Sequence, residues 1–90
     1  MIERALKIDP ENGAYLDSLG WIYFKQGQYE DALKYLQEAD NYLKDPIILE
    51  HLGDVYYKMD KRAEAKKFWF KSLEMLPNQT QVLEKLKSIE

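Results

Sequence analysis

Apolar residues recur along this 90-residue chain at intervals of three and four, the spacing that lines one side of an α-helix. Leu16, Leu19, Gly20 and Tyr23 form one stripe, and Tyr29, Ala32, Leu33, Leu36, Ala39 and Leu43 form a second. The pattern then returns as Leu49, Leu52, Gly53 and Tyr56, followed by Ala65, Phe68, Trp69, Ser72, Leu73 and Leu76. A last stripe of Val82, Leu83, Leu86 and Ile89 is accompanied by Gln81, Glu84, Lys85, Lys87, Ser88 and Glu90. It reads as a terminal capping helix whose polar remainder faces solvent. No segment alternates with period two, so no strand is predicted.

The second pair of stripes is a copy of the first. The displacement that sets Leu16 on Leu49 also sets Leu19 on Leu52, Gly20 on Gly53, Tyr23 on Tyr56, Lys25 on Lys58, Ala32 on Ala65, Tyr35 on Phe68 and Leu36 on Trp69. Moving the chain one place further sets Ala5 on Ala39, so the first residues read as the end of an earlier copy. The expected organisation is one domain over 1–90: the end of a truncated repeat at 1–12, repeats at 13–45 and 46–79, and the capping helix at 80–90.

Local punctuation agrees with this division. Asp45 before Pro46 is a helix start, because the carboxylate accepts from an orphan amide while Pro at the first helical position gives up no bond. Gly27 suits a left-handed turn between two helices, and its counterpart Asp60 adopts that conformation less cheaply. Pro10 and Pro77 close second helices, and Asn78 with Gln81 is expected to cap the last one.

Composition narrows the function classes. The sequence has no cysteine, so disulfide, zinc-finger and thiol redox readings fall away. A net charge of -3, with 13 basic against 16 acidic side chains, argues against a dedicated nucleic-acid binder. No apolar run has the length of a membrane span, and no membrane insertion is expected. A soluble chain follows, its compartment left open between the cytoplasm and, for a segment of a longer envelope protein, the periplasm.

These residues resemble the tetratricopeptide repeat, a helix-turn-helix unit of about 34 residues. Leu19-Gly20, Tyr23, Gly27, Tyr29, Ala32 and Ala39 fill the family's slots in the first copy, and Leu52-Gly53, Tyr56, Ala65 and Pro77 in the second. The run from Tyr15 to Trp21, followed by Glu50 to Asp54, is also similar to the C-terminal repeats of longer bacterial tetratricopeptide proteins. The resemblance implies an all-α solenoid of about two and a half antiparallel helix-turn-helix repeats, a non-enzymatic scaffold for protein–protein interaction, and no cofactor.

The resemblance further implies that partners bind a concave side lined by the first helix of each repeat. The candidate groove residues are Ala14, Asp17, Ser18, Trp21, Phe24 and Lys25 in the first repeat. In the second they are Ile47, Glu50, His51, Asp54, Tyr57 and Lys58. Asp17 and Glu50 stand where the family's chaperone-tail clamp would want Lys, and Trp21 and Asp54 where it would want Asn. An acidic terminus would be repelled, so the expected client is a protein or peptide segment with apolar and basic side chains. Trp21 reads either as an anchor for that client or as packing against a neighbouring repeat. Trp69, on an apolar stripe, reads as core.

Other chemistries fit less well. Glu50, His51 and Asp54 share a helix face at offsets of three and four, but one His with two carboxylates, without a paired nucleophile, favours a solvated face over a metal or catalytic site. No phosphate-binding loop occurs. Lys58, Lys61, Arg62, Lys66 and Lys67 form a basic cluster, read as solvation of an outer helix, with contact to an acidic partner as the lesser reading. A structural role competes with peptide binding. With Ile2, Leu6 and Ile8 lacking cover, the open N-terminal end is expected to mediate homo-oligomerisation or stacking within a longer array.

Overall fold

A computed structural model describes residues 13–89. The expected repeat remnant at 1–12, with Ala5, Pro10 and the apolar end of Ile2, Leu6 and Ile8, lies outside the described residues. Those described form five α-helices and no strand: α1 (Gly13–Lys25), α2 (Tyr29–Tyr42), α3 (Pro46–Lys58), α4 (Arg62–Met75) and α5 (Thr80–Ser88). Each bound of α3 and α4 falls one repeat length after its counterpart in α1 and α2. The fold is an all-α helical repeat of the solenoid class. It divides into two units, Met1–Lys44 and Asp45–Glu90.

In the first unit α1 and α2 form a helical hairpin. Leu16, Leu19, Leu36, Ala32 and Ala39 are buried, each on the stripe its spacing predicts. Gly20 sits at the closest approach, where a Cβ would come within 2.7 Å of Leu36 Cγ and 3.1 Å of the Ala32 carbonyl oxygen. The Tyr23 and Tyr35 rings stack beside it at 5.4 Å. Leu43 departs from its stripe, being 41% exposed, because α2 ends at Tyr42 and Leu43 takes an extended backbone.

The second unit repeats these contacts with different side chains. Tyr56 and Phe68, the counterparts of that tyrosine pair, stack at 5.4 Å. Trp69 stands in the place of Leu36, and its indole fills the space a Gly53 Cβ would need. The Ser72 hydroxyl stands in the place of Ala39 and donates to the Pro46 carbonyl at 2.7 Å. Leu76, like Leu43, leaves its stripe and is exposed.

The same turn joins the helices of both hairpins. Gly27 (φ 79°) and Asp60 (φ 63°) are left-handed. The amides of Gln28 and Lys61, one residue later, donate at 2.9 Å to the carbonyls of Tyr23 and Tyr56. This is the Schellman arrangement, which satisfies orphan carbonyls at a helix end. At the start of α3 the Ile47 amide donates to Asp45 Oδ1 at 2.8 Å, as the Asp-Pro pair predicts.

Helix α5 begins differently from expectation. Its N-cap residue is Gln79, which makes no side-chain cap bond, and the Asn78–Gln81 cap does not form. The Gln79 side chain turns back instead, its Nε2 lying 2.9 Å from Ser72 O, Ser72 Oγ and Leu76 O. This buried amide ties the end of α4 to the start of α5. Val82 and Ile89 then pack into a cluster with Ala65 and Trp69, bordered by Tyr56, Leu73 and Leu86. Complete burial of Val82 contributes about 1.5–3 kcal/mol before entropic costs. Leu83, expected on the same stripe, is 42% exposed.

Candidate functional site

On α1, Ala14, Ser18 and Lys25 are exposed, while Asp17, Trp21 and Phe24 are partly buried. Residues three and four apart meet on a helix surface, and Trp21, Phe24 and Lys25 have that spacing. The Trp21 and Phe24 rings stack at 4.7 Å with planes 17° apart, and Lys25 Nζ lies 5.5 Å from the Trp21 ring. Phe24 also meets the Tyr29 ring at 5.7 Å across the turn. The helix end thus carries an aromatic platform with a cation at its edge.

On α3, Ile47, Tyr57 and Lys58 are exposed, His51 and Asp54 partly buried, and Glu50 buried at 8% exposure. The solvated face expected for Glu50, His51 and Asp54 is corrected here. Lys85 of α5 reaches across to α3, and its Nζ donates to Glu50 Oε2 at 2.6 Å and to Asp54 Oδ1 and Oδ2 at 2.9 and 3.1 Å. An ammonium has three donors, and these three contacts occupy them. Lys85 is therefore not one of the solvating residues of the cap. The negative charge expected on this face meets an internal cation.

Trp69 forms the wall of this ion cluster. Its Nε1–H lies 3.2 Å from both the Glu50 carbonyl oxygen and Asp54 Oδ1 and donates to the pair of them. The Lys85 ammonium lies 5.9 Å from its ring, and Tyr57 packs against it at 5.8 Å. A leucine at this position, as in the first unit, would leave the Asp54 carboxylate without that donor.

Burial raises the Asp54 carboxyl above its ordinary value of 3.8, overcoming the opposing hydrogen bond and charge of Lys85, and the nearby Glu50 charge adds to the rise. Burial works against the Lys85 charge as well, but its hydrogen bonds to Glu50 and Asp54, with their negative charges, outweigh it and lift the ammonium above 10.5. With its oxygens directed at an ammonium and an indole, the carboxylate pair binds a cation rather than moving protons. Among the described residues, no group of three or more His, Asp or Glu side chains could hold a metal ion. No described helix is long and apolar enough to cross a membrane.

Sequence reasoning passed over Lys85 although a signal was present. It lies three residues after Val82 and four before Ile89, on the buried stripe of α5. A cation in that position calls for a buried anion, and Glu50 and Asp54 are the pair that answers.

Residues 1–71 match the family model described as anaphase-promoting complex, cyclosome, subunit 3, a model of the tetratricopeptide type. The chain belongs to this tetratricopeptide-repeat family. It is 38% identical over 74 residues to TPR repeat-containing protein MJ1428 of Methanocaldococcus jannaschii, a match covering 82% of this chain and 13% of that protein. Against the type IV pilus assembly protein PilF of Pseudomonas aeruginosa it is 35% identical over 82 residues, covering 88% of this chain and 32% of the relative. A solved structure of Pseudomonas aeruginosa pilF superimposes with a TM-score of 0.91, covering 98% of this chain and 41% of that one. The first tetratricopeptide domain of Spaghetti (RPAP3), solved with an HSP90 peptide, shares the fold at a TM-score of 0.93 and 21% identity, covering 98% of this chain and 71% of that one. The tetratricopeptide chain therefore spans a third or less of these curated relatives.

Proposed function

We propose that this tetratricopeptide chain is a non-catalytic scaffold that holds a peptide segment of a client protein on its first-helix faces, with apolar and basic client side chains favoured. The Trp21–Phe24 stack, partly exposed and edged by Lys25, carries the reading, because rigid aromatic surface is the kind of group that anchors an interface. Asp17 on α1 and the Glu50–Asp54 pair on α3 supply the preference for cations. Lys85 already occupies that pair, so a client cation must compete with it. A chaperone-type acidic tail would meet the carboxylates of Asp17, Glu50 and Asp54, and Lys85, beside the latter two, is already bound to them.

Titration with basic and acidic peptides of equal hydrophobicity, followed by Trp21 fluorescence against a Trp21→Ala control, tests this reading. Tighter binding of the basic set, lost in Trp21→Ala with an unchanged melting curve, is the expected result. Tighter binding of the acidic set at this face would overturn it. The greater length of the relatives favours a second reading, in which the chain stacks within a longer array or associates with itself. Under that reading Trp21→Ala lowers stability or shifts sedimentation, without a peptide being involved.

A further inference from the structure

The second unit carries an apolar hollow on another part of its surface. Lys66, Phe70 and Leu73 of α4 and Leu83, Leu86 and Lys87 of α5 enclose about 240 Å³. It exists because α5 is fixed to α4 mainly through Gln79, Val82 and Ile89, which leaves Leu83 standing off the packed stripe. Phe70 and Leu83 are 56% and 42% exposed. Large apolar side chains left open together mark an interaction surface.

Volume and charge indicate the occupant. Small-molecule and cofactor sites typically run to about 300–1,000 Å³, so this hollow suits one or two large side chains instead. Both charged residues lining it, Lys66 and Lys87, are cationic, and no carboxylate lines it. Lys85, by contrast, is spent on Glu50 and Asp54. A groove between two helices, apolar at the floor and basic at the rim, matches an amphipathic helix with apolar residues on one stripe and carboxylates beside them.

We propose that the α4–α5 hollow docks an acidic amphipathic helix of a partner protein, which seats a large apolar side chain on Phe70, Leu73, Leu83 and Leu86 and pairs its carboxylates with Lys66 and Lys87. This surface is separate from the first-helix faces and fails or stands independently of the peptide reading above.

The test uses the full isotope-labelled chain and two synthetic helical peptides with the same Leu/Phe stripe, one flanked by Glu and one by Lys. The acidic peptide is expected to shift the Phe70 ring and the Leu73, Leu83 and Leu86 methyl resonances, to weaken about tenfold from low to high salt, and to lose about tenfold in the double variant Lys66→Glu, Lys87→Glu. The same loss is expected for Leu83→Asp, with both variants keeping the native helical signal. Equal binding of the two peptides, shifts confined to α1 and α3, undiminished binding by the variants, or no binding of the acidic peptide would each overturn the proposal. So would concentration-dependent shifts of the same resonances without peptide, which would make a second copy of the chain the occupant.

Discussion

The Trp69 indole lies where a Cβ on Gly53 would have to go, and it cannot easily turn away, because its N–H is held by the Glu50 carbonyl and the Asp54 carboxylate. Gly53→Ala is therefore expected to cost about 1–3 kcal/mol, the usual penalty for overpacking. In a Trp69→Leu background, which restores the pairing seen at Gly20 and Leu36, the same substitution should cost measurably less. Urea denaturation of the four-member cycle checks this, and a cost unchanged by Trp69→Leu would refute it.

Lys85→Met leaves Glu50 and Asp54 buried without their cation. A loss of about 1–2 kcal/mol is expected, from hydrogen bonds to charged groups, reduced because the lysine side chain is one-third exposed. Helix α5 should become more exchange-labile than α4 by hydrogen exchange. Adding Glu50→Gln and Asp54→Asn should recover part of the loss. The triple variant being less stable than Lys85→Met would contradict the ion cluster as drawn.

Two pH effects follow from the same cluster. The Lys85 value is higher in the folded chain than its ordinary 10.5, so its contribution is complete below 10.5 and is lost as pH rises through the raised value. Alkaline titration of helicity should show a step that Lys85→Met lacks. The Asp54 value is raised above 3.8, so its own contribution is complete below 3.8 and declines as pH rises through the elevated value. The stability of wild type relative to Asp54→Asn should fall across that interval, and a rise there would reverse the assignment.

Asp60 holds a left-handed backbone at φ 63° without the freedom of glycine. Its contact with Arg62 at 3.9 Å is highly exposed and offsets little. Asp60→Gly is expected to stabilise the second unit by about 1 kcal/mol, and Gly27→Ala to destabilise the first by a similar amount. Thermal melts of the two variants should move in opposite directions.

The helices were legible because their signals are local and doubled. Leu16, Leu36, Leu52 and Trp69 announce their burial by spacing, and Gly27, Asp60 and Asp45-Pro46 announce the breaks. The misread positions depend on where a helix stops and on contacts that spacing does not encode. Leu43 and Leu76 continue a stripe on paper, but each helix ends one residue earlier and extended backbone begins at these leucines. Gln79 was invisible as a tie because its value lies in three oxygens presented by Ser72 and Leu76 at the end of α4 and just past it. Lys85 lies 35 residues from Glu50, and a charged face looks solvated until the helix opposite it is known. Trp21 and Phe24 are three positions apart, a spacing any reader of the chain can see, yet the stacking of their rings needed side-chain geometry to establish.

Tyr23 on Tyr35 and Tyr56 on Phe68 keep one ring separation, a full repeat apart. Each hairpin thereby carries its internal contacts as a self-contained cassette. A duplicated repeat inserted at the boundary between Lys44 and Asp45 would bring a complete ring pair, Gly approach and turn with it. A single added residue within a turn would shift the two rings of its pair out of phase. Array length is thus a quantity that recombination can change in whole steps, while loop length inside a step is under tight constraint.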